Sequence, residues 1–284
     1  MRIIITGARG QLGQAMQKAL ADAALVLIDV PDWDITHPQL VPLLARLEPE
    51  VVVHCAAMTD VDGCARNPDL AYRINAFGTQ NVALACQRAG AALVHISTNE
   101  VFDGTANEPY REFDAPHAIN PYGVSKLAAE QIARLLVSKL YIVRTSWLFA
   151  PGGSNFVSKI LAAADKHGQL RVVTDEVANP TYAPDLAAAL ARLIRMEHYG
   201  IYHLVNEGYC SRYEFALEIM RQSGRTAIPV IPITNHQFQR ASQPPAFTPL
   251  RNTTGAALGI TLRPWQAALS DYLATGSGHE KEKR

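Results

Sequence analysis

Three residues have side chains and spacings suited to protonating a carbonyl oxygen: Thr98, Tyr122 and Lys126. Tyr122 and Lys126 are four residues apart, so on a helix their side chains lie on one face. A phenol has a reference pKa of about 10, and a nearby ammonium group lowers it. Tyr122 could then exchange a proton near neutral pH, while Thr98 holds the oxygen by a hydrogen bond. The set is typical of residues that protonate a carbonyl oxygen while its carbon is reduced.

A glycine-rich turn near the start of the chain predicts a binding site for the phosphates of a dinucleotide. Gly7, Gly10 and Gly13 follow an apolar run and open a helical pattern. The first glycine permits a tight bend, the second lets the backbone approach a pyrophosphate, and the third lets helix and strand pack closely. Free N–H groups at the helix N-terminus then bind phosphate. The sequence therefore predicts a nicotinamide dinucleotide, which would reduce the carbon that Tyr122 serves.

Asp29 bears on the choice of cofactor. It ends the second strand-like run, where a carboxylate binds the ribose 2′-hydroxyl of NAD and repels a 2′-phosphate. Arg9, inside the glycine turn, would partly offset that repulsion. The pattern favours NAD(H) and leaves NADP(H) open, with a simple strand-end carboxylate as the alternative interpretation of Asp29.

Apolar runs alternate with helical patterns through the first half of the chain, as in parallel α/β sheets. The predicted strands cover residues 2–6, 24–29, 51–55, 92–97 and 140–144, and the predicted helices cover residues 11–23, 37–47, 69–89 and 120–136. The strands show no polar alternation, which indicates a sheet covered on both faces. The predicted fold class is α/β: a doubly wound parallel sheet of the Rossmann type with a smaller C-terminal substrate lobe.

The second half is less regular and predicts the division into domains. It contains helical patterns at residues 155–166, 184–197 and 211–222, a strand at 200–205, and an irregular proline-rich stretch at 228–254. We assign residues 1–147 plus about 183–207 to an NAD(P)-binding domain. The substrate lobe takes about 148–182 and 208–275, and the small, charged tail at 276–284 is predicted to be disordered.

Composition narrows the classes of partner. The chain has 284 residues, 48% apolar and 18% charged, with no formal net charge, which is ordinary for a soluble enzyme and argues against nucleic acid. No apolar run approaches the ~20 residues of a membrane span, and the start does not resemble a signal peptide. The cysteines show no CxxC pair or zinc spacing. We expect a cytoplasmic protein with no metal and with neither nucleic acid nor membrane as a partner.

Short stretches of the chain together resemble a known family. They are residues 6–13, 34–36, 56–59, 61–62, 74–75, 94–98, 101–104, 120–126, 144–148 and 179–181. The chain is similar to the extended short-chain dehydrogenase/reductases, and within them to the dTDP-4-dehydrorhamnose reductase family. The resemblance implies NAD(P)H-dependent reduction of the 4-keto group of dTDP-4-dehydro-6-deoxy-L-mannose to dTDP-L-rhamnose. We expect a small-molecule sugar nucleotide as partner and a monomer or homodimer.

The resemblance also implies residue roles, with Thr98, Tyr122 and Lys126 as the catalytic set. The residues implied to bind the cofactor are Gly7, Arg9, Gly10, Gln11, Leu12, Gly13, Asp29, Asp34, Ile35, Ala56, Ala57, Thr59, Tyr122 and Lys126. The sugar nucleotide is implied to contact Thr98, Glu100, Tyr122 and Trp147, the last of which could instead be a core tryptophan. Asn75 either supports the site from its helix or lies on the helix surface.

The sequence departs from the family pattern at three places. Asn99 and Glu100 stand where the reductases carry Asp-Tyr, so Glu100 adds a carboxylate beside the threonine. Phe247 and Arg251 replace the usual Asn and Asp in the segment that helps to hold the nucleotide, which leaves the exact sugar and base open. Some relatives form metal-linked dimers through an acidic residue just after the glycine turn; residues 14–15 supply none, so we predict no magnesium requirement.

Three other functions stay open. The first is reduction of another 4-keto sugar nucleotide. The second is a sugar-nucleotide 4,6-dehydratase, a class that carries Asp-Glu after the threonine; Glu100 is present here, but Asn99 cannot donate a proton as a carboxylic acid does. The third is a non-catalytic regulatory subunit, against which the intact pair of Tyr122 and Lys126 argues.

Overall fold

The computed structural model of the protein describes residues 1–276. Within them the strands are β1 (Arg2–Thr6), β2 (Ala24–Ile28), β3 (Val51–His54), β4 (Ala92–Thr98), β5 (Leu140–Thr145), β6 (Leu148–Phe149), β7 (Leu170–Val173), β8 (Val177–Ala178), β9 (Thr181–Tyr182), β10 (Gly200–His203), β11 (Cys210–Ser211) and β12 (Val230–Ile233). The tail that the sequence predicts to be disordered lies, from residue 277 onward, outside the described residues.

The helices of the same residues are α1 (Gln11–Ala19), α2 (Leu40–Arg46), α3 (Val61–Arg66), α4 (Pro68–Tyr72), α5 (Gly78–Ala89), α6 (Pro121–Leu136), α7 (Phe156–His167), α8 (Ala183–Leu193), α9 (Arg212–Gln222), α10 (Thr254–Ala257) and α11 (Trp265–Gly276). A π-helical turn joins α4 to α5, and short 3-10 turns occupy Asn99–Val101 and Asn235–Gln237. Among the helices of this part of the chain, none combines the length and apolarity needed to cross a bilayer.

A six-stranded parallel sheet lies at the centre, in the order β10-β5-β4-β3-β1-β2. β1 pairs with β2 on one side and β3 on the other, so that Thr6 lies between Ile28 and His54. The strand order therefore reverses at β1, and the carboxyl ends beside it form the crevice where open α/β sheets bind ligands. This topology confirms the predicted doubly wound parallel sheet.

Helices cover both faces of this sheet, which explains its unbroken apolar strands. On one face α1 and α8 contribute the fully buried Met16 and Leu186 to the core. On the other face α2 and α5 contribute Leu44 and Val82, and α6 packs beside them. Burying such a side chain fully contributes about 1.5–3 kcal/mol, so the two-sided core holds the strand ends that carry the site.

A second apolar core joins β6, α7, β7, α9 and α11. Phe215 lies near its centre, with ring centroids 5.9 Å from Phe149 and 5.3 Å from Trp265. β12 pairs in parallel with β7, so the prediction that residues 228–254 are irregular is wrong for this strand. The core is a candidate for the centre of the substrate lobe, and the division into domains stays a prediction.

The predicted helix over residues 69–89 is present, but it contains a π-helical turn that the sequence did not predict. The chain forms α4, then the π-helical turn Arg73–Phe77, then α5. The turn places Asn75 inside the protein, where its side chain binds the backbone of Met58. A turn stabilised by a loop 17 residues away leaves no signal in local helical periodicity.

Candidate active site

A cavity of about 380 Å³ opens between the glycine turn, the end of β4 and the start of α6. Most residues that the sequence predicts for the site line it: Gly7, Gly10, Gln11, Leu12, Gly13, Ala57, Thr59, Thr98, Glu100, Tyr122, Lys126 and Trp147. The fold thus brings the phosphate turn and the proton-transfer residues, which are about 90 residues or more apart in sequence, to one space.

The glycine turn has the close packing that a dinucleotide phosphate site needs. Gly7 has a φ of 67°, and a Cβ there would lie 2.6 Å from the backbone nitrogen of Ala56. A Cβ on Gly13 would lie 2.8 Å from the Cα of Ala8, so α1 reaches the turn only because it has no side chain there. Gly10 precedes α1 without a capping side chain, which leaves first-turn N–H groups free. These groups fit the pyrophosphate of NAD(P).

Arg9 and Asp29 lie together in a second cleft of about 330 Å³. The Asp29 carboxylate accepts hydrogen bonds from the backbone N–H groups of Arg9 at 2.6 Å and Val30 at 2.8 Å. The Arg9 guanidinium donates to the carbonyl of Val30 at 2.5 Å and lies 3.2 Å from Asp32, while 63% of its side chain stays exposed. An acidic and a basic group therefore stand side by side where β2 ends.

Three residues predicted to bind the cofactor line neither cavity. Asp34 accepts a hydrogen bond from the backbone N–H of Thr36 at 2.8 Å. Ile35 is buried in the core with the helices α2 and α5. Ala56 contacts the glycine turn through its backbone. The structure gives each a local structural role, and their contact with the cofactor stays a prediction.

Packing of α6 against the end of β4 positions Tyr122. The side chain of Asn120 accepts a hydrogen bond from the N–H of Gly123 at 2.8 Å and so caps α6. A Cβ on Gly123 would meet the carbonyl of Glu100, so the helix approaches the strand end closely. Tyr122 lies beside Thr98 as a result. Burial and the Glu100 carboxylate raise the pKa of Tyr122, while the hydrogen bond with Thr98 lowers it.

Lys126 lies one turn further along α6 and is 3% exposed. Its ammonium group donates to the carbonyl of Ile96 at 2.6 Å. Burial lowers the pKa of Lys126 to about 8, and the Glu130 carboxylate opposes that effect. In the protein alone the pKa of Tyr122 is raised and not lowered, because burial and Glu100 disfavour the phenolate. Tyr122 therefore keeps its proton, which is the form that a proton donor needs. That Lys126 and a bound nicotinamide together lower this pKa stays a prediction.

A buried ion pair lies behind Lys126. Arg144 on β5 binds Glu130 on α6 at 2.8 Å, and both side chains are 2% exposed. Ser97 on β4 donates to the same carboxylate at 2.5 Å. These contacts join α6 to β4 and β5, so they position Lys126 and Tyr122 relative to Thr98.

Asn75 joins the loop after β3 to α6. It is 1% exposed, accepts from the N–H of Met58 at 2.8 Å and donates to its carbonyl at 3.1 Å. It also donates to Ser125 Oγ at 2.9 Å, and that hydroxyl donates to the carbonyl of Tyr122 at 2.7 Å. Asn75 is therefore not a surface asparagine; it supports the site from the π-helical turn.

Glu100 and Asn99 both line the cavity but differ in the side chains that they bind. Glu100 lines the cavity and accepts a hydrogen bond from Asn120 at 2.7 Å; burial raises its pKa, and that hydrogen bond opposes the rise. Asn99 is buried, accepts from Thr98 at 3.2 Å and donates to Thr248 at 2.6 Å. The Asn99 amide is thus held by two threonines and supplies no acid to the cavity.

Trp147 borders the cavity with a φ of 41°, a conformation that is uncommon for a bulky side chain. Arg212 lies over its ring, with the guanidinium carbon 3.6 Å from the ring centre. Sequence reasoning missed Arg212, and with it Glu176 and Arg240, which form an ion pair at 3.0 Å next to the site. No spacing links these residues to the motifs, since only the packing of α9 and of the segment before α10 brings them here.

Metal ligation has no visible basis in the part of the chain that is described. Within residues 1–276 no group of three or more His, Cys, Asp or Glu side chains is arranged to hold an ion. Independence from magnesium stays a prediction.

Comparisons with known proteins decide the family. The family model of the RmlD substrate binding domain matches residues 1–277. A dTDP-4-dehydrorhamnose reductase from Mycobacterium tuberculosis H37Rv is 38% identical over 282 residues, which cover 96% of this chain and 92% of that protein. The chain belongs to the dTDP-4-dehydrorhamnose reductase family. Membership of this family confirms the prediction of an NAD(P)H-dependent oxidoreductase.

Solved structures of the same family agree with the fold. A dTDP-4-dehydrorhamnose reductase from Clostridium acetobutylicum has a TM-score of 0.93 and 40% identity, covering 98% of this chain and 100% of that one. A reductase from Bacillus anthracis, solved in complex with NADP, has a TM-score of 0.92 and 38% identity, covering 96% and 99%. The NADP complex of that relative supports the use of a nicotinamide cofactor, and the choice between NAD and NADP needs a separate argument.

Proposed function

We propose that this protein reduces the 4-keto group of dTDP-4-dehydro-6-deoxy-L-mannose with NAD(P)H and forms dTDP-L-rhamnose. The observation that carries the proposal is that Thr98, Tyr122 and Lys126 line one cavity with the glycine turn. The names of the relatives support the substrate class. Thr98, Glu100, Tyr122 and Trp147 would contact the sugar nucleotide.

Residues of this chain supply the proton that the C4 oxygen gains in the reduction. A bound reduced nicotinamide would supply a hydrogen with its electron pair to carbon C4 of the sugar. Thr98 holds the C4 oxygen, and Tyr122 donates its proton to that oxygen as the C=O π bond breaks. The phenolate that remains is stabilised by the ammonium of Lys126 and regains a proton from solvent. The sugar gains one C–H and one O–H bond.

We propose that both NADH and NADPH serve, with NADH favoured. The Asp29 carboxylate lies where it can accept the 2′-hydroxyl of NADH. Arg9 stands beside it with an exposed guanidinium that can pair with the 2′-phosphate of NADPH. Arg9→Ala should lower kcat/KM for NADPH about fivefold and leave that for NADH within twofold, since exposed ion pairs are weak. Equal losses with the two cofactors would contradict this role.

The free cysteines bear on the compartment in which the protein works. We propose a monomer or homodimer in the cytoplasm, with the sugar nucleotide as its partner. The four cysteines, Cys55, Cys64, Cys86 and Cys210, are free, which suits a reducing compartment.

Cofactor oxidation measured against a panel of 4-keto sugar nucleotides, with products identified by NMR, tests the proposal. Of the panel, dTDP-4-dehydro-6-deoxy-L-mannose should react fastest and give dTDP-L-rhamnose. Turnover confined to a different sugar would support another reductase. Loss of water from dTDP-glucose without added NADH would support a dehydratase. No turnover at all, with binding to another protein retained, would support a regulatory subunit.

A further inference from the structure

Arg212 is a cation on the cavity wall for which the reaction just described has no use. It is the first residue of α9, whose N-terminus is fixed by Ser211, with the Ser211 hydroxyl accepting from the N–H of Glu214 at 3.1 Å. Its guanidinium carbon lies 3.6 Å from the ring centre of Trp147 and 4.8 Å from that of Phe156. The helix cap and the two aromatic rings together fix the Arg212 guanidinium on the wall of the cavity.

The guanidinium of Arg212 has hydrogen-bond donors without acceptors in the described part of the chain. Its Nε lies 3.5 Å from Glu176, a long contact, and within residues 1–276 neither terminal nitrogen makes a hydrogen bond. The other oxygen of Glu176 binds Arg240 at 3.0 Å, and Arg240 also binds Asp62 at 3.1 Å. Arg240 is thus engaged by two carboxylates, whereas Arg212 is four-fifths buried with unused N–H groups. Such donors favour an oxyanion that accepts two of them at once.

We propose that Arg212 binds the diphosphate of the sugar nucleotide; this assignment rests on the proposed function. A sugar whose C4 oxygen lies at Thr98 and Tyr122 has its anomeric carbon across the ring, because C1 and C4 are opposite in a pyranose. The diphosphate on C1 therefore lies one ring width from the proton donor. Trp147 and Arg212 line the same cavity, so the indole borders the ring and the guanidinium binds the phosphates.

A carboxylate on the hexose would also accept two N–H groups from a guanidinium, so the test uses ligands that carry no hexose. Binding of dTDP and of thymidine to the NADP⁺-loaded protein is measured by calorimetry. Arg212→Gln should weaken dTDP binding about 10- to 100-fold, as for loss of a charge-assisted pair, and change thymidine binding less than twofold. Arg212→Lys keeps the charge without the planar fork and should recover part of the dTDP affinity.

Arg221→Gln is the matched control, since Arg221 lies in the last turn of the same helix and pairs with Glu218 at 2.7 Å. It should leave both affinities unchanged. Unchanged dTDP affinity in Arg212→Gln, or equal losses for dTDP and thymidine, would overturn the assignment. If Arg212→Gln does not fold, Arg212→Lys tests the assignment instead. A loss of affinity for dTDP without a loss for thymidine would support it, and no loss for dTDP would overturn it. If the wild type reduces no keto sugar but Arg212→Gln still removes the preference for dTDP, the proposed function fails and the diphosphate site stands.

Discussion

Tyr122 shows how burial and chemistry combine in a single side chain. It faces the cavity, yet burial and Glu100 raise its pKa, so the phenol holds its proton. In a reduction the neutral phenol is the form that gives its proton to the carbonyl oxygen, and the phenolate left behind needs the Lys126 ammonium to stabilise it.

Tyr122→Phe removes this proton and keeps the ring. We expect kcat to fall about 10²- to 10⁴-fold, the usual contribution of a general acid, with the Kd for NADPH within twofold by fluorescence titration. Tyr209→Phe, on a half-exposed tyrosine outside the cavity, is the control and should keep full activity. A Tyr122→Phe variant with near-normal kcat would rule out the phenol as the proton donor.

We expect Lys126 to set the upper pH limit of activity. Burial lowers its pKa to about 8, so the ammonium is charged below pH 8 and neutral above. The neutral amine cannot stabilise a phenolate. We expect kcat/KM for the keto sugar to fall as pH rises through about 8, which steady-state kinetics from pH 6 to 10 would show. In Lys126→Arg the charge persists and the fall should move to higher pH; a wild-type profile flat to pH 10 would contradict this.

At the residue scale the meeting of Thr98, Tyr122 and Lys126 in one cavity was predictable, and the position of Arg212 was not. Thr98, Tyr122 and Lys126 stand at spacings that carry chemical meaning in the sequence. Arg212 follows a helix-capping serine and looks like any surface arginine until α9 packs beside Trp147. The raised pKa of Tyr122 in the protein alone was not predicted, because desolvation is a tertiary effect, invisible in an i, i+4 pair.

At the element scale the π-helical turn is what the site depends on. Through Asn75 it ties the loop after β3 to α6, so the cofactor side and the proton-transfer side of the cavity share one support. The local pattern of residues 69–89 predicted a plain helix, since the contacts that stabilise the turn come from other parts of the chain.

Asn75→Ala should weaken both stability and catalysis. It leaves the N–H and carbonyl of Met58 without their partner in a buried site, so we expect a loss of about 2–4 kcal/mol in the free energy of unfolding. The kcat/KM should fall as well, because α6 loses a positioning contact. Asn81→Ala, which removes a single hydrogen bond to the carbonyl of Ile35, is the control for urea unfolding and kinetics. Equal effects of the two variants would show that Asn75 has no special role.

At the scale of the whole molecule, three buried histidines link folding to pH. His54, His95 and His203 are at most 1% exposed. Burial lowers the pKa of His54 and of His203 from 6.5 to about 3, and that of His95 well below 6.5. Between pH 6.5 and 3 the unfolded chain therefore binds more protons than the folded one, and acid favours unfolding.

We expect the unfolding midpoint to fall steadily as pH drops from 6.5 to 4, with little change from 6.5 to 7.5. Thermal unfolding followed by circular dichroism would measure it. His203→Gln removes one of these groups and should flatten the acid limb at the cost of some stability at pH 7. A midpoint independent of pH over this range would contradict neutral buried histidines.

The global architecture was the part most accessible from sequence. Unbroken apolar strands alternating with helices can hardly form anything but a covered parallel sheet, and β1, predicted as residues 2–6, has those bounds. The short strands β8 and β12 were not predicted, because two- and four-residue strands are set by their pairing partners.

The most direct test of the central claim follows one hydrogen atom. The protein is incubated with dTDP-4-dehydro-6-deoxy-L-mannose and with NADPH or NADH that carries deuterium at C4 of the nicotinamide. The deuterium is on one face of the ring in the first reaction and on the other face in the second. We predict that one label gives dTDP-L-rhamnose with deuterium at C4 of the sugar, seen by NMR and mass spectrometry. A product with no deuterium at C4 from either labelled face, or no product while both ligands bind, would contradict reduction at the site of Thr98, Tyr122 and Lys126.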